Sequence, residues 1–253
     1  MDRWTQSIIL YVESITESRE FMSAARAFAR QKPIIAYKAG RFAESAQAAA
    51  SHTGAMAGVD TVYEAAFNRA GIVRVFEMLD MFDCAELLAR QKIPKGLRLA
   101  IVTNAGGPGI VATDMTVSSG LQLAQLAPAT IEVLASHLPS AANIHNPVDV
   151  IGDAAQDRYE NALAAVIRDE GVDGALVILT PQSMTNALET AKAITKIARQ
   201  SHKPILCSFM GIVDVSAGVQ YLQAQGYPVY RFPENAAKSF GALYRYSRWL
   251  NRQ

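Results

Sequence analysis

The chain has 253 residues, half of them hydrophobic and 19% charged, with a formal net charge of +1. That balance describes a globular protein with core enough for two domains, and near-neutral charge without a long basic run excludes nucleic-acid binding as a leading function. No apolar stretch reaches membrane-span length, and Met1-Asp2-Arg3-Trp4 begins no signal peptide, so a cytoplasmic protein is expected.

Apolar runs of strand length alternate with helical patterns along the chain. Ile8-Ile9-Leu10-Tyr11-Val12 predicts a buried strand, 18–30 a helix and 33–37 a second strand. The basic glycine turn Lys38-Ala39-Gly40-Arg41 and a small-residue run then lead to Ser51-His52-Thr53-Gly54. A helix through Arg69, a strand at 72–75 and a helix over 77–89 follow. Lys92-Ile93-Pro94-Lys95-Gly96 is polar and carries proline and glycine, which places a domain boundary there and gives domains 1–92 and 93–253. The second part predicts strands at 97–102, 121–126, 174–180, 204–209 and 228–232, with helices at 108–119, 128–137, 157–169, 186–200, 215–225 and 234–249. Strands apolar on both faces, alternating with helices, make an α/β fold with parallel sheets covered on both sides. The first part supplies only three strands, so its sheet is expected to be truncated or completed by a partner. Cys84 and Cys207 stand far apart and read as buried, reduced residues; no zinc site is expected.

Flanked by Ser51, Thr53 and Gly54, His52 is not set for an apolar core. It suits a loop in which the imidazole acts as a nucleophile and carries a transferable group, or it caps that loop at the surface. The tetrapeptide alone leaves both readings open. Glu13 ends the first strand, where it can accept the Nδ1 proton of a histidine and hold one tautomer, or cap the next helix. Thr103-Asn104-Ala105-Gly106-Gly107-Pro108-Gly109 leaves a strand at the carboxyl edge, where open parallel sheets bind ligands. Its glycines permit close backbone approach, and the helix that follows offers free N–H groups to an anion. A tight turn without a ligand is the other reading, and the pattern is neither a dinucleotide fingerprint nor a P-loop. Asn146-Pro147-Val148-Asp149 reads as a rigid, bracing turn. Lys38 and Arg41 either help hold an anion or are solvated surface charges, while His137, His145 and His202 have no expected chemical role.

Taken in order, several segments resemble the NDP-forming acyl-CoA synthetases, which include ADP-forming acetyl-CoA synthetase and are related to succinyl-CoA synthetase. They are Tyr11-Val12-Glu13-Ser14, Lys32-Pro33 through Lys38-Ala39-Gly40-Arg41, Ser51-His52-Thr53-Gly54-Ala55, Gly71-Ile72-Val73-Arg74-Val75, the 101–109 run, Asn146-Pro147-Val148-Asp149 and Phe232-Pro233-Glu234. The resemblance covers practically the whole chain. It implies two flavodoxin-like ligase domains, the first N-terminally incomplete. It implies that His52 is the phosphohistidine and Glu13 the carboxylate that orients it. Asn104, Ala105, Gly106, Gly107 and Gly109 would bind phosphate at the start of one of two helices that face the phosphohistidine.

The CoA-binding Rossmann-like domain, the first part of the histidine domain and the ATP-grasp domain of that family have no counterpart in this sequence. The chain is thus expected to be a fragment or subunit of an enzyme running acyl-CoA + NDP + phosphate ⇌ carboxylate + NTP + CoA, with acetate or another short acid. CoA, ADP or ATP and magnesium belong to the complete enzyme, with no cofactor held by this chain alone and assembly as a homo- or hetero-oligomer. The alternative is a non-catalytic, acyl-CoA-sensing module of a larger protein such as a lysine acetyltransferase. Flavin binding lacks the Ser/Thr phosphate-binding run it needs.

Overall fold

The computed structural model describes residues 2–47 and 59–252; His52 lies outside them. Contacts divide the chain into two units, Met1–Ala89 with Arg245–Gln253, and Arg90–Tyr244.

The first unit carries β1 (Ile8–Val12), α1 (Ser18–Ala29), β2 (Ile34–Lys38), α2 (Asp60–Ala70), β3 (Ile72–Val75) and α3 (Met78–Arg90). The strands form a parallel sheet in the order β1-β2-β3, with Val12 opposite Lys38 and Tyr37 opposite Val75. Helical spacing puts Phe21, Met22, Ala25, Phe28 and Ala29 on one side of α1, where they join Phe67 and Ala70 of α2 and Ile34, Ala36 and Ile72 of the sheet in one core. At the end of α2 Gly71 adopts φ 79°, the left-handed conformation that closes a helix at low cost only for glycine. Trp249 covers it: a β-carbon on Gly71 would stand 2.4 Å from the indole. The indole Nε1 donates to Arg69 O at 3.3 Å, and the neighbouring Tyr246 hydroxyl donates to Ala29 O at 2.7 Å. Gly71→Ala combines backbone strain with this clash and is expected to lower stability by about 2 kcal/mol, measured by urea unfolding. An unchanged midpoint would mean that the indole moves aside freely.

The second unit carries β4 (Arg98–Thr103), α4 (Gly106–Ser118), β5 (Gln122–Leu123), α5 (Pro128–His137), β6 (Val148–Asp149), α6 (Gln156–Arg168), β7 (Gly174–Leu179), α7 (Ala187–Gln200), β8 (Ile205–Phe209), α8 (Ser216–Ala224), β9 (Val229–Tyr230) and the start of α9 (Pro233–Leu250). Its parallel sheet runs β5-β4-β7-β8-β9, and β6 pairs with β4. Every residue of β7 and β8 is buried, as strands covered on both faces must be. Two expectations need correction. The strands at 121–126 and 228–232 shrink to Gln122–Leu123 and Val229–Tyr230. The 146–149 turn contains a short strand, β6, whose Val148 and Asp149 pair with Val102 and Thr103. A two-residue strand is too short to leave an alternation pattern in sequence.

Both cysteines are free and buried, and burial pushes the Cys207 thiol up to about 12, far from the reactive thiolate. No helix among the described residues is long and apolar enough to cross a membrane.

Candidate functional sites at the two carboxyl edges

In the first unit, chain direction brings Glu13, Lys38 and Arg74 to the carboxyl edge of the sheet, where Asp60 opens α2. Glu13 follows the last residue of β1 and is half-buried. Lys38 is 1% exposed, which removes the solvated-charge reading. Arg74 in β3 is also buried; one guanidinium nitrogen pairs with Asp60, the other with Glu64 Oε2 at 2.9 Å. Arg41 Nε lies 3.7 Å from Asp60 Oδ2, and its guanidinium carbon stands 4.4 Å from the Phe76 ring centre, on which Arg74 also stacks at 5.0 Å. Asp60 is therefore a hub for two arginines. Sequence reasoning passed over Arg74 as a site residue, although a lone arginine inside Ile72-Val73-Arg74-Val75 is a signal, because a charge in an all-buried strand needs a partner.

In the second unit, β4 delivers the 104–109 turn to the carboxyl edge of its own sheet. Asn104 is 2% exposed and its amide is bound to Thr180, the residue after β7: Nδ2 donates to Thr180 O at 2.8 Å, and Oδ1 accepts from Thr180 N at 2.8 Å and Thr180 Oγ1 at 3.0 Å. Ala105 N donates to Thr103 Oγ1 at 3.0 Å, and Ala105 is the N-cap residue of α4. Gly106 and Gly107 form the open part of the turn. Both are exposed, no side chain caps the helix, and its first turn holds no acidic residue. The first N–H groups of a helix have no partner within it, and Pro108 has none to offer, so Gly106 and Gly107 present the turn's outward donors. Gly109 is buried: its N–H reaches Ala105 O at 3.3 Å, and a β-carbon there would meet Thr103 at 3.2 Å. Asp149, braced by its Oδ1 accepting from Ile151 N at 2.9 Å, brings Oδ2 to 3.6 Å from where a Gly106 β-carbon would sit. Ile151 itself has φ 71°, a conformation a β-branched residue adopts only where the surroundings impose it.

These two edges belong to parallel α/β domains of the CoA-ligase kind. The family of succinyl-CoA ligase like flavodoxin domains matches residues 1–88, and the Ligase-CoA domain family matches 99–252. ADP-forming acetate–CoA ligase of Methanocaldococcus jannaschii is 42% identical over 251 residues, 97% of this chain and 35% of its own length. The alpha subunit of ADP-forming acetate–CoA ligase I of Pyrococcus furiosus is 34% identical over 98% of this chain and 54% of its own length. A solved structure of Ca. Korarchaeum cryptofilum dinucleotide forming acetyl-coenzyme A synthetase 1, in complex with phosphate and ADP, superposes with a TM-score of 0.92 at 34% identity, over 98% of this chain and 55% of that one. The chain therefore belongs to the NDP-forming acyl-CoA synthetase family. It spans about a third to a half of the length of the curated relatives it matches.

Proposed function

We propose that this chain is the phosphohistidine-bearing part of an ADP-forming acyl-CoA synthetase acting on acetate or another short acid. The observation that supports it best is the near-complete coverage by a phosphate- and ADP-bound acetyl-CoA synthetase structure, at 34% identity over 98% of this chain. In the reaction, inorganic phosphate attacks the acyl-CoA carbonyl, releasing CoA and leaving an acyl phosphate. An imidazole nitrogen of His52 then attacks phosphorus, and the carboxylate departs. A β-phosphate oxygen of ADP takes the phosphoryl group from the imidazole, giving ATP and free histidine. Glu13 would accept the proton on the other ring nitrogen, holding one tautomer and stabilising the cation formed when the first nitrogen is phosphorylated. Gly106 and Gly107 N–H, at the positive end of α4, would hold phosphate oxygens where charge develops. A CoA-binding Rossmann-like domain and an ATP-grasp domain or subunit would bring CoA, nucleotide and magnesium.

The complete enzyme incubated with γ-labelled ATP and magnesium should label this chain with an acid-labile, base-stable phosphoryl group. Acid-stable label, or none, would overturn the reading.

A further inference from the structure

Lys38 is among the largest fully buried side chains of the described residues. Nζ donates to the Ala39 carbonyl and stands 4.6 Å from the centre of the Tyr63 ring, the attraction of a cation for an aromatic face. Tyr63 is itself held: its hydroxyl accepts from Ile15 N at 3.1 Å, and its ring meets Phe67 edge-on at 5.9 Å. Burial pulls the ammonium below the ordinary lysine value; Asp60 opposes that pull, Arg74 adds to it, and Glu13 opposes it. A methionine would fill the same space without desolvating a charge, at the cost of the donor to the Ala39 carbonyl. Packing alone therefore does not call for lysine here. The charge acts on the edge of the sheet. Lys38 pairs with Val12 in the ladder, so Glu13 lies one residue past the last pair. Asp60 already has Arg74 and Arg41, whereas Glu13 is the carboxylate that the chemistry above uses.

We propose that Lys38 is a positioning residue for phosphoryl transfer, its buried ammonium seated on the Tyr63 ring and orienting the Glu13 carboxylate at the edge of the first sheet. The inference rests on the reading of His52 and Glu13 given above.

In the complete enzyme, Lys38→Met is expected to lower kcat by on the order of 10- to 100-fold, the effect of slight misplacement of a reacting group. KM values should stay within about twofold, because substrate binding is not what is lost. Thermal melting should change little. In a Glu13→Gln background the same substitution should cost less than about twofold, since the group it acts through is gone. The wild-type kcat should also fall on the alkaline side as the ammonium is lost, a limb that Lys38→Met lacks and Tyr63→Phe keeps. The charged groups facing Lys38, namely Glu13, Asp60 and Arg74, are unchanged in both variants.

If Lys38→Met does not fold, Lys38→Gln, which keeps a donor for Ala39 without the charge, carries the comparison. Wild-type kcat in the neutral variant, or a cost undiminished in the Glu13→Gln background, would overturn the proposal. A variant that loses stability while its folded fraction keeps full kcat would do the same. Should His52→Ala retain the phosphoryl label, the carrier reading itself fails; should it lose the label while the Lys38 variants keep wild-type kcat, only the Lys38 inference fails.

Discussion

His52→Ala is expected to lower net ATP formation by the complete enzyme by on the order of 10³-fold or more, as removal of a covalent nucleophile does. The reason lies in how the reaction divides. Phosphate attack on the acyl-CoA thioester uses the developing charge on a carbonyl and the donors that hold phosphate, none of them supplied by the imidazole. In the proposed reaction, carriage of the phosphoryl group toward ADP starts with its uptake by His52. The variant should therefore still exchange acyl-CoA and phosphate for acyl phosphate and CoA while failing to make ATP from acyl-CoA. That split separates loss of a carrier from loss of a folded domain, which would abolish both halves. The measurements are acyl phosphate trapped with hydroxylamine and ATP formed in the same sample. A variant that still makes ATP would dismiss the phosphohistidine outright.

The alternation of elements was readable because each long element carries its own signal. β7 and β8 are apolar at consecutive positions, and α1 repeats its apolar residues at helical spacing. Family motifs singled out His52, Glu13 and the 104–109 turn. What sequence could not supply was set by contacts between distant positions. Lys38 sits in a basic turn beside Gly40 and reads locally as a surface charge; Tyr63, a helix away, and Asp60 make its burial possible. Asn104 belongs to a phosphate-binding motif by resemblance, yet its side chain is committed to Thr180, a pairing that no local spacing announces. Trp249 lying over Gly71 is of the same kind, a tertiary contact between positions far apart in the sequence. In the 104–109 turn, the glycines also divide by role. Gly109 packs against Thr103, while Gly106 and Gly107 stay open to solvent, a difference visible only once α4 is set against β4.

Asn146→Ala is expected to destabilise the second unit by about 2 kcal/mol, through two buried backbone groups, Ile101 N and Ala124 O, left without partners, while Leu99 O keeps its bond from Ala124 N. Between β5, which pairs with Arg98 and Leu99, and β6, which pairs with Val102 and Thr103, the same side of β4 has a gap in its ladder. The Asn146 amide fills it. Its Oδ1 accepts from Ile101 N at 2.9 Å, and its Nδ2 donates to Leu99 O at 2.9 Å and to Ala124 O at 3.0 Å. Leu99 and Ile101 are fully buried and Ala124 nearly so, leaving little water to replace the amide. Asn146→Asp should be no better, because a carboxylate would face two carbonyls with nothing to donate. Asn143→Ala, which removes two bonds of an exposed side chain, one to Pro147 O and one from His145 N, leaves groups that water can reach, should cost far less and serves as the control. Urea unfolding monitored by circular dichroism reads all three. Equal urea midpoints for wild type and Asn146→Ala would mean that water enters the gap and that the amide is not what joins β5, β4 and β6.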